Sequence, residues 1–109
     1  MYTFPVLLKK IRESADITQE EFASVLGVST ILVSMIETGQ KDVSKNFILR
    51  LAERLGVRPN SVTPFLFIDE NHDKRNFSKL DLSLIAIGEK LQDNLVKNKA
   101  KNLRKYVQH

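Results

Sequence analysis

The chain has 109 residues, with 17 Lys and Arg against 13 Asp and Glu for a formal net charge of +4, and it has no cysteine. That length suits one small domain with an appendage, and the missing cysteines exclude disulfide frameworks and thiolate metal centres. No apolar run approaches the roughly 20 residues of a membrane span, and the opening MYTFPVLLKK lacks the leading positive charges of a secretory signal.

The first predicted helix covers Phe4 to Ser14, with Phe4, Leu7, Leu8 and Ile11 facing inward. The run from Thr18 to Gly39 carries the most information. Thr18 is a natural N-cap and Glu21 completes a capping box, so a second helix spans Gln19–Leu26 and buries Phe22, Ala23, Val25 and Leu26. Gly27 stands where the chain must turn sharply. Ser29 caps a third helix, Thr30–Glu37, with Val33 and Ile36 on its inner face. Two short helices joined by so tight a turn make a helix-turn-helix, with the second helix free to enter DNA.

Gly39 ends the third helix, and Gln40–Val43 form a loop. Ser44 caps a fourth helix that buries Phe47, Ile48, Leu51, Ala52 and Leu55 and stops at Gly56. A short fifth helix opens around Pro59. At Pro64 it either breaks at Thr63 or gives way to a second short helix. Phe65, Leu66, Phe67 and Ile68 then close the core or cover a partner.

Residues 69–77, DENHDKRNF, read as a linker. Beyond them Ser78 and Asp81 form another capping box, opening a long helix from Lys79 to Tyr106. Leu80, Leu84, Ile87, Leu91 and Leu95 make a near-heptad stripe along it. The stripe has two readings: a dimer or partner interface, which the length of the helix favours, or packing back onto helices 1 and 5. The end of the helix is basic, with Lys97, Lys99, Lys101, Arg104 and Lys105. Those cations either attract phosphate or complement the helix dipole.

The spacing of Leu8, Ile11-Arg12, Thr18-Gln19, Phe22-Ala23, Gly27-Val28-Ser29, Val33-Ser34, Glu37-x-Gly39 and Leu51-Ala52-x-x-Leu55-Gly56-Val57 resembles the Cro/C1-type, or XRE, helix-turn-helix family. The resemblance implies an all-α fold: a compact five-helix lambda-repressor-like DNA-binding domain over residues 1–68, the linker, and an additional C-terminal helix over 78–109. It implies a sequence-specific, dimeric transcriptional repressor acting on double-stranded operator DNA in the cytoplasm, associated with the nucleoid. It leaves open an antitoxin resembling the HipB and HigA types, which would bind a toxin protein and repress its own operon.

In that family geometry Ser29, Thr30, Ile31, Ser34 and Met35 are the base readers. Thr38, Gln40 and Lys41 face sugar-phosphate, and Gln19 matches a phosphate-binding position. Glu37 takes the place of a fold-stabilising residue. The chain departs from many relatives in having no Gln, Asn, Arg or Lys among the readers, which excludes bidentate base pairing from helix 3 and favours thymine methyls and DNA shape. Enzymatic readings find no support. His72, among the acids of the linker, has no second histidine nearby, and the chain has no phosphate-cradling glycine loop or nucleophile elbow. No cofactor or metal is expected.

Overall fold

The structure is a computed structural model that describes residues 1–67 and 79–107, with side chains described through Leu66 and again from Ala86. Among these residues every regular element is helical. The predicted linker, the Ser78–Asp81 capping box, His72 and the side chains of Leu80 and Leu84 lie outside the described residues.

Helix α1 (Phe4–Ser14) carries Pro5 in its first turn, where a missing N–H costs no helical bond. Helix α2 (Gln19–Leu26) opens on a closed capping box. Thr18 Oγ1 accepts from the Glu21 N–H at 3.0 Å, and Glu21 Oε1 accepts from the Thr18 N–H at 2.9 Å. Its C-cap, Gly27, has a φ of 69°, the left-handed region that penalises a Cβ. Helices α3 (Thr30–Glu37) and α4 (Lys45–Leu55) each begin on a serine whose hydroxyl accepts a backbone N–H at 3.1 Å, from Leu32 to Ser29 and from Phe47 to Ser44. The inner faces read from spacing all merge into one core. Leu7, Leu8, Phe22, Val33, Leu51 and Leu55 have no measurable exposure, and each full burial of this kind is worth about 1.5–3 kcal/mol.

The fifth helix resolves into two 3-10 turns, Pro59–Ser61 and Thr63–Phe67, with Val62 buried between them and Phe65 buried in the second. A continuous α-helix through Pro64 would lose a backbone bond, and short 3-10 pieces avoid that loss.

The C-terminal element departs from the expected single helix ending at Tyr106. Helix α5 (Lys79–Asn94) passes into a π-helical turn, Leu95–Lys99, and then a 3-10 segment, Ala100–Tyr106. In a uniform α-helix Leu95, Ala100 and Leu103 would be splayed around the axis. The π turn closes a bond from the Ala100 N–H to the Leu95 carbonyl, and 3-10 winding eclipses residues three apart. The three side chains thereby face the same way, and all are buried in the core formed by α1–α4.

Polar contacts fix this docking. Ser14 Oγ donates to the Val96 carbonyl at 2.6 Å. Asn102 Nδ2 donates to the carbonyl of Leu55, the last residue of α4, at 2.8 Å. Arg104 Nη1 donates to the carbonyls of Ala15 and Asp16 just beyond α1, at 3.2 and 2.9 Å. Carbonyls at helix ends have no intrahelical donor, and Asn102 and Arg104 supply one from outside.

Candidate nucleic-acid interface

Helices α2 and α3 meet with a bend of 108° across the turn at Gly27, within the range of a helix-turn-helix. Burial of Val33, Ile36 and Glu37 on one side of α3 leaves the other side to solvent. Thr30 and Ile31 are exposed, and Ser34 and Met35 are half-buried beside them. Ile31 retains 72% of its accessible surface, the largest value of any large apolar residue described. Leu32, adjacent in sequence, is half-buried and packs against the core. Ser29 is exposed, and its hydroxyl oxygen is occupied by the Leu32 N–H.

The far end of α3 is tightly tied. The Met35 carbonyl accepts from the N–H groups of Gln40 at 2.8 Å and Lys41 at 3.2 Å. Thr38 Oγ1 donates to the Ser34 carbonyl at 2.8 Å and accepts from Gln40 Nε2 at 3.0 Å. Thr38, Gln40 and Lys41 are all exposed. They form a short polar shelf continuous with the outer face of α3, followed by exposed Lys45 at the start of α4.

Behind the face lies a buried ion pair. Arg12 Nε donates to Glu37 Oε2 at 2.8 Å and Arg12 Nη2 to Glu37 Oε1 at 3.2 Å, a bidentate geometry, while Arg12 Nη1 donates to the Ile17 carbonyl at 3.1 Å. The Glu37 side chain is 2% exposed. Gln19 Nε2 also donates to Glu37 Oε1, at 3.2 Å. The pair therefore joins α1 to the end of α3 and holds the half-buried amide at the start of α2. An amide nitrogen carries two hydrogens, so Gln19 has one left to offer a phosphate. Glu20 and Glu21 occupy the same first turn. They complement the α2 dipole and make the turn less hospitable to phosphate than the shelf bearing Lys41.

The second predicted surface is divided. Ile87 and Leu91 are exposed, at 55% and 38%. Leu95, expected to join them at an interface, is 1% exposed and belongs to the chain's own core, on the helical face that carries Gly88 and Gln92. The buried face of α5 instead runs through Gly88, Gln92 and Leu95. A Cβ on Gly88 would meet the Met1 side chain at 2.9 Å, and Gln92 is bonded to the Tyr2 backbone. The spacing of four and three residues between these positions was a readable signal, obscured because one is glycine and one is polar. Two cations are also drawn into structural duty: Arg104 as described, and Arg54, which donates to the Val25 carbonyl and lies 4.4 Å from the centre of the Tyr106 ring.

Among the described residues no single helix is long and apolar enough to cross a membrane. Comparison with known proteins gives no match among curated proteins and none among solved structures. The helix-turn-helix family model HTH_3 matches residues 8–62, from the second turn of α1 to the end of the first 3-10 turn. With that match over half of the chain and the geometry of α2 and α3, the chain belongs to the Cro/C1-type, or XRE, helix-turn-helix family of DNA-binding transcription regulators.

Proposed function

We propose that this protein is a sequence-specific repressor that binds operator DNA as a homodimer, with α3 in the major groove. The observation that carries the reading is the outer face of α3. Ile31 is an apolar side chain left 72% exposed, on the element the family uses for DNA, with the exposed Thr38, Gln40 and Lys41 following the end of that helix. The groove is wide enough to take such a helix. Ser29, Thr30, Ile31, Ser34 and Met35 then meet base edges, and Gln19, Thr38, Gln40 and Lys41 meet the backbone. Exposed Ile87 and Leu91 favour a second copy on α5, because two half-sites need two recognition helices. Repression follows from excluding polymerase at the occupied operator, and the protein's place is then on the nucleoid.

Fluorescence anisotropy on the DNA upstream of the protein's own gene, against scrambled DNA of equal length, tests this. A preference of about a thousandfold or more near physiological salt is the expected result. Equal and steeply salt-dependent binding to both duplexes is the result of phosphate attraction alone and contradicts the operator reading at that locus. The same exposed Ile87 and Leu91 also suit an antitoxin that covers them with a toxin protein. Co-purification of an adjacent gene product, lost on Ile87→Ser, would favour that assignment over the homodimer.

A further inference from the structure

We propose that Ile31 and Met35 form a receptor for the C5-methyl group of a pyrimidine, one that accepts thymine and 5-methylcytosine alike, so that cytosine methylation within the site tunes occupancy. The proposal rests on the operator reading above. The only apolar feature on the base edges of the major groove is the methyl group at C5 of thymine. 5-Methylcytosine carries the same methyl on the same ring carbon, and the two bases differ beside it: thymine presents the O4 acceptor, cytosine the N4 donor. A reader that separates them needs a group committed to donating or to accepting.

The outer face of α3 has no such group. No Arg, Lys, Asn or Gln lies within Thr30–Glu37. Its one acid, Glu37, is turned into the core, where Arg12 and Gln19 occupy it. The polar side chains that remain outward are the hydroxyls of Thr30 and Ser34, and a hydroxyl both donates and accepts. It bonds O4 of one base or N4 of the other with a rotation of its hydrogen. Apolar contact with the methyl therefore dominates discrimination, and Ile31, at 72% exposure, has the most surface to bury on it.

The test begins with two duplexes of the same upstream sequence, one synthesised with thymine and one with uracil throughout. Removing each contacted methyl should weaken specific binding about fourfold, the equivalent of about 0.8 kcal/mol per buried carbon. At thymines then located by footprinting, each T·A pair is replaced in turn by C·G and by 5-methyl-C·G. The methylated pair should stay within about twofold of thymine, and the unmethylated pair should show the full loss. Ile31→Ser with Met35→Ser should bind all three duplexes with equal affinity, and Ile31→Val alone should give an intermediate spread.

A site preference that ignores uracil substitution overturns the methyl receptor and leaves the operator reading standing. So does an Ile31→Ser, Met35→Ser protein that still separates methylated from unmethylated sites. Unchanged DNA binding by Ile31→Ala, with loss of a protein complex instead, assigns the residue to a protein interface and overturns the proposal. Absence of any sequence preference overturns the operator reading and the methyl receptor together.

Discussion

The side-chain amide of Gln92 clasps the backbone of Tyr2, accepting from its N–H at 2.9 Å and donating to its carbonyl at 2.8 Å. One amide thus does the work of a neighbouring peptide and fastens the segment before α1 to α5, with Gln92 itself 1% exposed. Both bonds require a group that donates on one side and accepts on the other. Gln92→Ala should lower stability by about 1–3 kcal/mol in urea denaturation, since it removes both partners from the buried side.

Gln92→Glu supplies a sharper result. An ionised carboxylate still accepts from the Tyr2 N–H but sets a second acceptor against the Tyr2 carbonyl. A protonated carboxyl restores the donor. The unfolded chain releases this proton near the ordinary glutamate value of about 4.3, while the buried folded site retains it to higher pH. Stability of the variant relative to the parent should therefore fall as pH rises above that value and recover as pH is lowered toward it. A relative stability that does not change with pH would show that the amide is not read on both sides.

Arg12 and Glu37 yield a second prediction. Removing one member of a buried ion pair leaves an uncompensated charge and typically costs about 3–5 kcal/mol, whereas apolar replacement of both is far milder. Arg12→Met should fall in that range by thermal or urea denaturation. The Arg12→Met, Glu37→Met double variant should regain a large part of the loss. The recovered fold should still bind DNA less tightly, because Gln19 no longer has the Glu37 oxygen to orient its amide. A double variant with full affinity would separate the ion pair from the interface.

The amino-acid sequence exposes the first four helices almost to the residue, and the reason is local. Thr18, Ser29 and Ser44 mark starts by capping, Gly27 and Gly56 mark stops, and the apolar residues between them keep helical spacing. Local pattern is a weaker guide to the C-terminal third, where the buried positions Gly88, Gln92 and Leu95 keep helical spacing but one is glycine and one is polar. A stripe of leucines at near-heptad spacing has the same pattern whether it faces a second chain or its own core. The change from α to π winding at Leu95 goes with the burial of Ala100 and Leu103 in the core. The partners of Gln92, Asn102 and Arg104 lie 47 to 90 residues away along the chain, a separation at which sequence periodicity carries no signal. For the interface, helical position identified which residues face outward. It did not reveal that Glu37 holds Arg12 and Gln19 at once.

At Gly27 the prediction concerns the turn itself. Its φ of 69° penalises any Cβ by about 1–2 kcal/mol, and an added Cβ would come within 3.2 Å of Arg50 Nη1. Gly27→Ala should lower the melting temperature by an amount corresponding to at least that strain. Arg50 sits at the far end of a long exposed side chain and can move aside, so Gly27→Ala, Arg50→Ala should recover only the smaller, steric part. Equal stability of Gly27→Ala and the parent would mean that the α2–α3 turn adopts another backbone conformation.

The divided stripe gives the last prediction, in which stability and assembly separate. Leu95 is surrounded by its own chain, so Leu95→Ala should cost about 2–5 kcal/mol. That loss should be the same at every protein concentration if it reports only the fold. Ile87 and Leu91 make no comparable contribution within the chain, because much of their surface is in water. Ile87→Ser with Leu91→Ser should leave the unfolding free energy of dilute protein within about 1 kcal/mol of the parent, about 0.5 kcal/mol for each surface substitution. If a second copy covers these residues, the parent's melting temperature rises with concentration, because association stabilises by mass action. The double serine variant then loses that rise and sediments as a monomer. A parent that sediments as a monomer at all concentrations removes the second copy from α5.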